Sequence, residues 1–241
     1  DRALPDRVDG LNADIIDICL LMEQIGHGVF HEPIIDTGII ATSILADADN
    51  TPLADEILTA IGGGEAIVAL AHIEHDGRCE FTTEVTASAK ADGDNWVLNG
   101  EKQRVFYAPT ASHFIVSASC NEQGYALFVV PADNAGISIE RYRLIDGSPA
   151  GDVSFNNVKV STANLIANAE VAQNNLHRAP DKAIIADCAR ALGSMQAVMD
   201  MTQDYIKTRV QYGKPLAQFQ ALQHRMAEML VEYDQSHSML Y

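Results

Sequence analysis

The sequence predicts an α+β protein with an N-terminal helical domain (residues 1–62), a small antiparallel barrel-like β domain (63–167) and a C-terminal helical bundle (168–241). Three observations predict it. Apolar residues recur at three- and four-residue steps near both ends of the chain, as on one face of a helix. Between those stretches, short apolar runs alternate with turn residues, as in a compact β domain. Gly62-Gly63-Gly64 separates the first pattern from the second.

Taken in order, Ile15, Ile16, Cys19, Leu20, Met22 and Ile25 place a helix over 13–25, with Asn12 as its N-cap and Gly26 as its stop. Helical stretches over 37–46 and 53–60 follow. The β runs are 66–72, 85–89, 96–98, 114–119, 125–131, 137–142, 153–155 and 158–160. Asp92-Gly93-Asp94-Asn95 and Asn99-Gly100 supply hairpin chemistry, because Asn and Gly tolerate positive φ. A long helix over 180–208 carries Ile184, Ile185, Cys188, Leu192, Met195, Met199 and Ile206. Gly213-Lys214-Pro215 breaks it, and another helix starts near Phe219.

Sixteen Lys+Arg against thirty-three Asp+Glu give a net charge of −17. So negative a surface repels nucleic-acid backbones and anionic lipid, so neither is an expected partner. No apolar run approaches the roughly 20 residues that span a bilayer. Cys19, Cys79, Cys120 and Cys188 are scattered and form no CxxC pair, which argues against a disulfide framework or zinc site and fits a reducing cytoplasm. The chain opens at Asp1 without methionine and closes within a helical pattern that has no stop signal. A longer protein, with a truncated helical bundle here, is the expectation.

The most informative segment is RVQYGKPLAQFQ, residues 209–220. A cation ends a long helix, an aromatic-Gly-Lys-Pro turn follows, and Phe219 and Gln220 open the next helix. Two readings are open: a capping Arg with a tight helix–helix turn, or a guanidinium, aromatic face and amide assembled to hold a pyrophosphate and adenine.

This segment resembles the acyl-CoA dehydrogenase signature Arg-x-x-(Phe/Tyr)-Gly-x-x-(Leu/Ile)-x-x-x-Gln. LNGEKQRVFYAPTASHFIVSA (98–118) is similar to the family's LNG-x-K-x-WIT strand pair. LIDGSPAGDVSFNNVKVSTANLI (144–166) resembles the strand leading to its VPxxxLLG stretch, and residues 9–26 resemble its first helix. The stretch from Cys188 to Met229 looks particularly like the subgroup containing the pimeloyl-CoA dehydrogenase small subunit. The resemblance implies FAD, an acyl-CoA thioester substrate and removal of two hydrogens across Cα–Cβ. A carboxylate takes the α-proton and the flavin takes the β-hydride. It further implies an electron-transfer flavoprotein or similar acceptor, and a homo- or hetero-oligomer of dimer-of-dimers type.

By position, the resemblance implies that Arg209, Gln211, Tyr212, Phe219 and Gln220 contact the FAD of a neighbouring subunit. The flavin ring is expected on the β domain near Glu74, Arg104, Val105 and Phe106. That region departs from the family pattern. Thr-Glu-Pro-x-x-Gly-Ser reads Ile73-Glu74-His75-Asp76-Gly77-Arg78-Cys79, and Trp-Ile-Thr reads Arg104-Val105-Phe106. The alternative is that these positions have become ordinary surface and core. No catalytic base is assigned. Ala183 stands where some members carry a Glu, and Asp181 and Asp187 are expected to point away from that direction. His27 and His31 do not share a metal-binding helix face. His72 and His75 bracket the Glu74 loop and either line a cleft or satisfy local hydrogen bonds. Two functions therefore stand: an FAD-dependent acyl-CoA dehydrogenase, by itself or as one subunit of a heteromer, or a non-catalytic structural or CoA-ester-binding subunit. Whether Arg104, Arg209 and Lys214 form a positive pocket decides how FAD could sit in so acidic a chain.

Overall fold

The computed structural model describes residues 3–48, 52–74, 85–120 and 124–241. His75 to Glu80, Cys79 included, lie outside the described residues. In chain order the elements are α1 (Ile15–His27), α2 (Thr42–Ala46), α3 (Pro52–Gly62), β1 (Val68–Ala71), β2 (Ser88–Asp92), β3 (Asn95–Phe106), β4 (His113–Ser119) and β5 (Tyr125–Pro131). They continue with β6 (Ile137–Arg143), β7 (Pro149–Ser161), β8 (Leu165–Ala167), α4 (Ala169–Thr208), β9 (Val210–Gln211), β10 (Lys214–Pro215) and α5 (Gln220–Leu240). Two compact units result: Asp1–Asn12 with Glu32–Ala183, and Ala13–His31 with Ile184–Tyr241.

Among the described residues the first unit is organised by one eight-stranded sheet in the order β6-β7-β3-β2-β4-β5-β8, with β1 pairing β4 off that path. The class is α+β as expected, but the sheet is open rather than barrel-like: β6 and β8 end it and do not pair with each other. Nor is it antiparallel throughout, because β1 and β2 both run parallel to β4. The physical reason lies in β4 and β5, each with five consecutive buried residues. Strands covered on both faces read as continuous apolar runs and need a layer on each side. Val68, Ile115, Leu127 and Val129 pack on one face with Ile44, Leu45, Ile57, Leu58 and Leu176 from helices. Phe114, Val116, Phe128 and Val130 pack on the other with Leu98, Val105, Val153 and Phe155 from the curled β3–β7 ribbon.

Two sequence expectations shift for local reasons. Gly93-Asp94 does form the β2–β3 turn between Asp92 and Asn95. Asn99-Gly100 instead lies inside β3, at a register break where Asn99 faces both Asn156 and Asn157 of β7. The Asn99 Oδ1 accepts the Asn157 amide at 2.8 Å, and Asn157 takes φ 53°. The two short runs of 153–160 thus become one bulged strand. Residues 37–46 form a π-helical turn, Asp36–Ala41, that passes into α2.

In the second unit, α1 begins at Asp14 rather than Asn12. The Asp14 carboxylate accepts the amides of Ile16 and Asp17 at 2.9 and 3.0 Å, whereas Asn12 sits at φ 45°. Gly26 does not stop the helix but lets it approach α4: a Cβ there would lie 1.8 Å from the Arg190 carbonyl. Gly193 is its counterpart, 1.8 Å from the Glu23 carbonyl by the same construction. The Ser194 hydroxyl donates to the Gly26 carbonyl at 2.9 Å across this contact. The helix α4 itself extends N-terminally through Pro180, which was expected to open it. Pro180 is buried, and Ala172, Leu176 and Ala179 beside it belong to the first unit's core, so burial offsets the lost backbone hydrogen bond. Among the described residues no helix is long and apolar enough to cross a membrane.

Replacing Gly by Ala inside a helix ordinarily stabilises by about 1 kcal/mol. At Gly193 the sign reverses, because the methyl group must push two backbones apart. Gly193→Ala is expected to destabilise the protein by about 1–3 kcal/mol, as for other overpacked sites, read as a lower urea midpoint than wild type. An unchanged or higher midpoint would mean that the helices separate without cost.

Candidate functional site

On the β unit, the chemistry collects where β1 exits and β3 bends. Lys102 points inward and is fully buried. Its ammonium donates to the Glu74 carboxylate at 2.6 Å, to the Ser117 hydroxyl at 2.9 Å and to the His72 carbonyl at 3.3 Å. Glu74 in turn accepts the amides of Thr86 at 2.9 Å and Ala87 at 3.1 Å, together with the Thr86 hydroxyl. His72 Nδ1 lies 2.8 Å from the Ser117 hydroxyl. Burial pushes the Lys102 ammonium down to about 8, against the hydrogen bond and charge of Glu74. Burial also works against ionising Glu74, but the hydrogen bonds from Lys102 and Thr86 and the Lys102 charge outweigh it and hold that carboxyl below its ordinary value.

Next along β3, Gln103 and Arg104 form a bulge and are half-buried, Val105 turns into the core at 1% exposure, and Phe106 faces out at 43%. The Gln103 amide donates to the Ile73 carbonyl at 2.7 Å, which brings the Glu74 segment alongside the bulge. Glu74, Arg104, Val105 and Phe106 are therefore brought together, although Val105 can offer an outside group only its backbone. His72 belongs to the buried network, while His75 lies outside the described residues.

On the helical unit, β9 and β10 pair Gln211 with Lys214 and Val210 with Pro215 around a two-residue turn. Tyr212 and Gly213 both have positive φ, 52° and 76°, which is the type I′ geometry that matches strand twist. The turn thrusts Tyr212 outward at 93% exposure. Its ring meets Phe219 edge-on, 6.3 Å between centroids and 75° between planes, and the Lys214 ammonium sits 4.3 Å over the Phe219 ring. Arg209 and Gln211 are exposed at the hairpin's start, and Gln220 is exposed at the first turn of α5. No side chain caps α5; the Leu222 and Gln223 amides donate to the Phe219 carbonyl, and the Gln220 and Ala221 amides precede the first of these bonds. The five expected residues thus share one cationic, aromatic and amide-bearing hairpin.

The family model described as "Acyl-CoA dehydrogenase, middle domain" matches residues 69–158, and that described as "Acyl-CoA dehydrogenase, C-terminal domain" matches 184–241. Between them they account for more than half of the chain. The chain belongs to the acyl-CoA dehydrogenase family. A probable acyl-CoA dehydrogenase FadE25 of Mycobacterium tuberculosis is 25% identical over 99% of this chain and 63% of its own length. A probable acyl-CoA dehydrogenase YngJ of Bacillus subtilis is 27% identical over 98% of this chain and 64% of its own. Among solved structures, the Tcur3481-Tcur3483 steroid ACAD superposes with a TM-score of 0.80 at 30% identity, over 99% of this chain and 62% of that one. The chain spans less than two thirds of the length of these relatives.

Within this family frame, position 183 is a buried alanine, Asp181 is exposed, and Asp187 pairs with Arg190 at 2.6 Å. None of these is placed as a base. Among the described residues no group of three His, Cys, Asp or Glu could hold a metal. Sequence reasoning missed Lys102, Ser117 and Asp152. The available signal was Lys102 at an inward position of a strand, where a cation requires a buried acceptor.

Removing one partner of a buried ion pair costs about 3–5 kcal/mol, because the other is left uncompensated. Glu74→Ala strands the fully buried Lys102 and is expected to cost more than Lys102→Met, which leaves Glu74 12% exposed and still bonded to the Thr86 and Ala87 groups. The folded Lys102 value lies below its ordinary 10.5, so its contribution to stability is present above 10.5 and lost as pH falls to about 8. Near pH 9 the folded-state amine is mostly neutral, so the Glu74→Ala deficit in urea midpoint should shrink from pH 7 to pH 9. A deficit that grows with pH would contradict the assignment.

Proposed function

We propose that this chain is the FAD-binding part of an acyl-CoA dehydrogenase that oxidises the α,β bond of an acyl-CoA thioester, working as one subunit of a heteromeric assembly. The observation that carries the reading is the hairpin of Arg209, Gln211, Tyr212, Phe219 and Gln220. Its donor set fits a flavin dinucleotide: a guanidinium and an ammonium for the pyrophosphate, an exposed aromatic face for adenine, and two amides for its edges. The N-terminus of α5, which no side chain caps, adds an anion-favouring helix terminus beside these cations. In a chain of net charge −17, such a local positive cluster is what a phosphate-bearing ligand requires.

When bound, FAD would accept the hydride equivalent. This chain's residues bind and orient it. In the FAD seated on a neighbouring subunit, Arg209 and Lys214 would neutralise the pyrophosphate, and Tyr212 and Phe219 would flank the adenine. On the β unit, Phe106 would present an apolar face to the ring, and Glu74, held by Lys102, would fix the segment beside it. The hydroxyl that the family's Thr supplies is absent at Phe106, and Ile73 likewise carries none. A second subunit that completes the site accounts for this loss. The Tcur3481-Tcur3483 steroid ACAD, 30% identical, is itself named for two components and supports that assembly. The acceptor of the electrons would be an electron-transfer flavoprotein or a similar carrier.

Purified with FAD, the protein should carry visible flavin absorbance that an acyl-CoA bleaches in the presence of its partner subunit. Arg209→Ala, which removes an exposed side chain, should bind FAD about tenfold to hundredfold more weakly at unchanged thermal stability. A protein that stays colourless with FAD and partner supplied, or full flavin retention in Arg209→Ala, would sink the reading.

A further inference from the structure

We propose that Asp152 is a positioning residue for the ring-facing edge of the site: it holds the β3 bulge that decides which side chain is presented there. This rests on the flavin reading above. Between the pairs Lys102–Val153 and Val105–Gly151, two residues of β3, Gln103 and Arg104, oppose the single residue Asp152 of β7. Such a bulge leaves two backbone amides without ladder partners. The Gln103 amide reaches the Ile73 carbonyl, and the Arg104 amide donates to the Asp152 Oδ1 at 2.9 Å. Tyr142 of β6 donates its hydroxyl to the same oxygen at 2.8 Å and fixes it in place. Burial, then the hydrogen bond and charge of Asp152, push the Tyr142 phenol up to about 12, so it remains a donor throughout the neutral range.

The bulge is strained without this acceptor. Arg104 sits at φ 51°, a left-handed conformation that costs a non-glycine residue about 1–2 kcal/mol and persists only where its surroundings over-determine it. The extra residue also reverses strand parity. With it, Lys102 and Val105 point inward at 0% and 1% exposure, and Phe106 points outward at 43%. Without it, the alternation from Lys102 would carry Arg104 and Phe106 inward and Val105 outward, since a one-residue slip exchanges the faces of a strand. A carboxylate on β7 therefore sets the outward face of β3.

The test compares Asp152→Ala with Asp152→Asn, whose amide oxygen can still accept the Arg104 N–H. Amide hydrogen exchange on the FAD-free protein should show Arg104 protection at least tenfold lower in Asp152→Ala and retained in Asp152→Asn. Titration with FAD should then give at least tenfold weaker binding and an altered visible flavin circular dichroism in Asp152→Ala, with both near wild type in Asp152→Asn. Asp152→Ser, whose hydroxyl falls short of the amide, carries the same expectation if Asp152→Ala does not fold. Wild-type FAD affinity and dichroism in the Ala or Ser variant, or an Asn variant as impaired as Ala, overturns the inference alone. A wild-type protein that takes up no FAD overturns the flavin reading and this inference with it.

Discussion

One buried ammonium organises the part of the β unit where β1 exits and β3 bends. Lys102 draws the carbonyl of His72, the carboxylate of Glu74 and the hydroxyl of Ser117 onto a single nitrogen. These groups come from the exit of β1, the segment after it and the middle of β4. Through Glu74 the same cation reaches the amides of Thr86 and Ala87, which lead into β2. A charge placed out of water demands such a set of acceptors, and the demand fixes the chain paths around it. Glu74 itself is held in place, because both of its carboxylate oxygens are engaged.

From that anchor the β3–β7 ribbon is shaped by two bulges of opposite sense. At Asn99 the extra residue is on β7, and at Gln103–Arg104 it is on β3. Each is closed by a side-chain oxygen that accepts an orphan amide: Asn99 for Asn157 and Asp152 for Arg104. Bulges bend and twist a ribbon, and this one curls over the apolar face where Phe114 and Phe155 meet edge to face. The bend that protects a core is also the bend that turns Phe106 outward.

The helical unit depends on a different constraint, the close approach of α1 and α4 through Gly26 and Gly193. Its hairpin depends on a type I′ turn, for which Gly213 is well suited and Tyr212 is not. Holding a tyrosine at positive φ and 93% exposure gives up apolar burial and backbone comfort together. That cost has a purpose if the ring meets something outside the chain, in keeping with the proposed adenine contact.

Much of this was legible in the order of residues. Helical periodicity at both ends, short β runs between them and the RVQYGKPLAQFQ segment specified the α+β class, the family and the cluster at 209–220, because each is a local pattern or a contiguous motif. The open, mixed sheet was not legible, since parallel pairing of β1 and β2 with β4 is a choice among non-local partners. Neither was the helix through Pro180, where tertiary burial overrides a local preference. Lys102, Ser117 and Asp152 also escaped, because their roles arise only when residues 15 to 48 positions apart are folded against each other. The sequence by itself determined which elements form and which chemical groups are available. Only the tertiary structure decided which of them face outward, because strand parity is set by bulges whose stabilising acceptors lie on another strand.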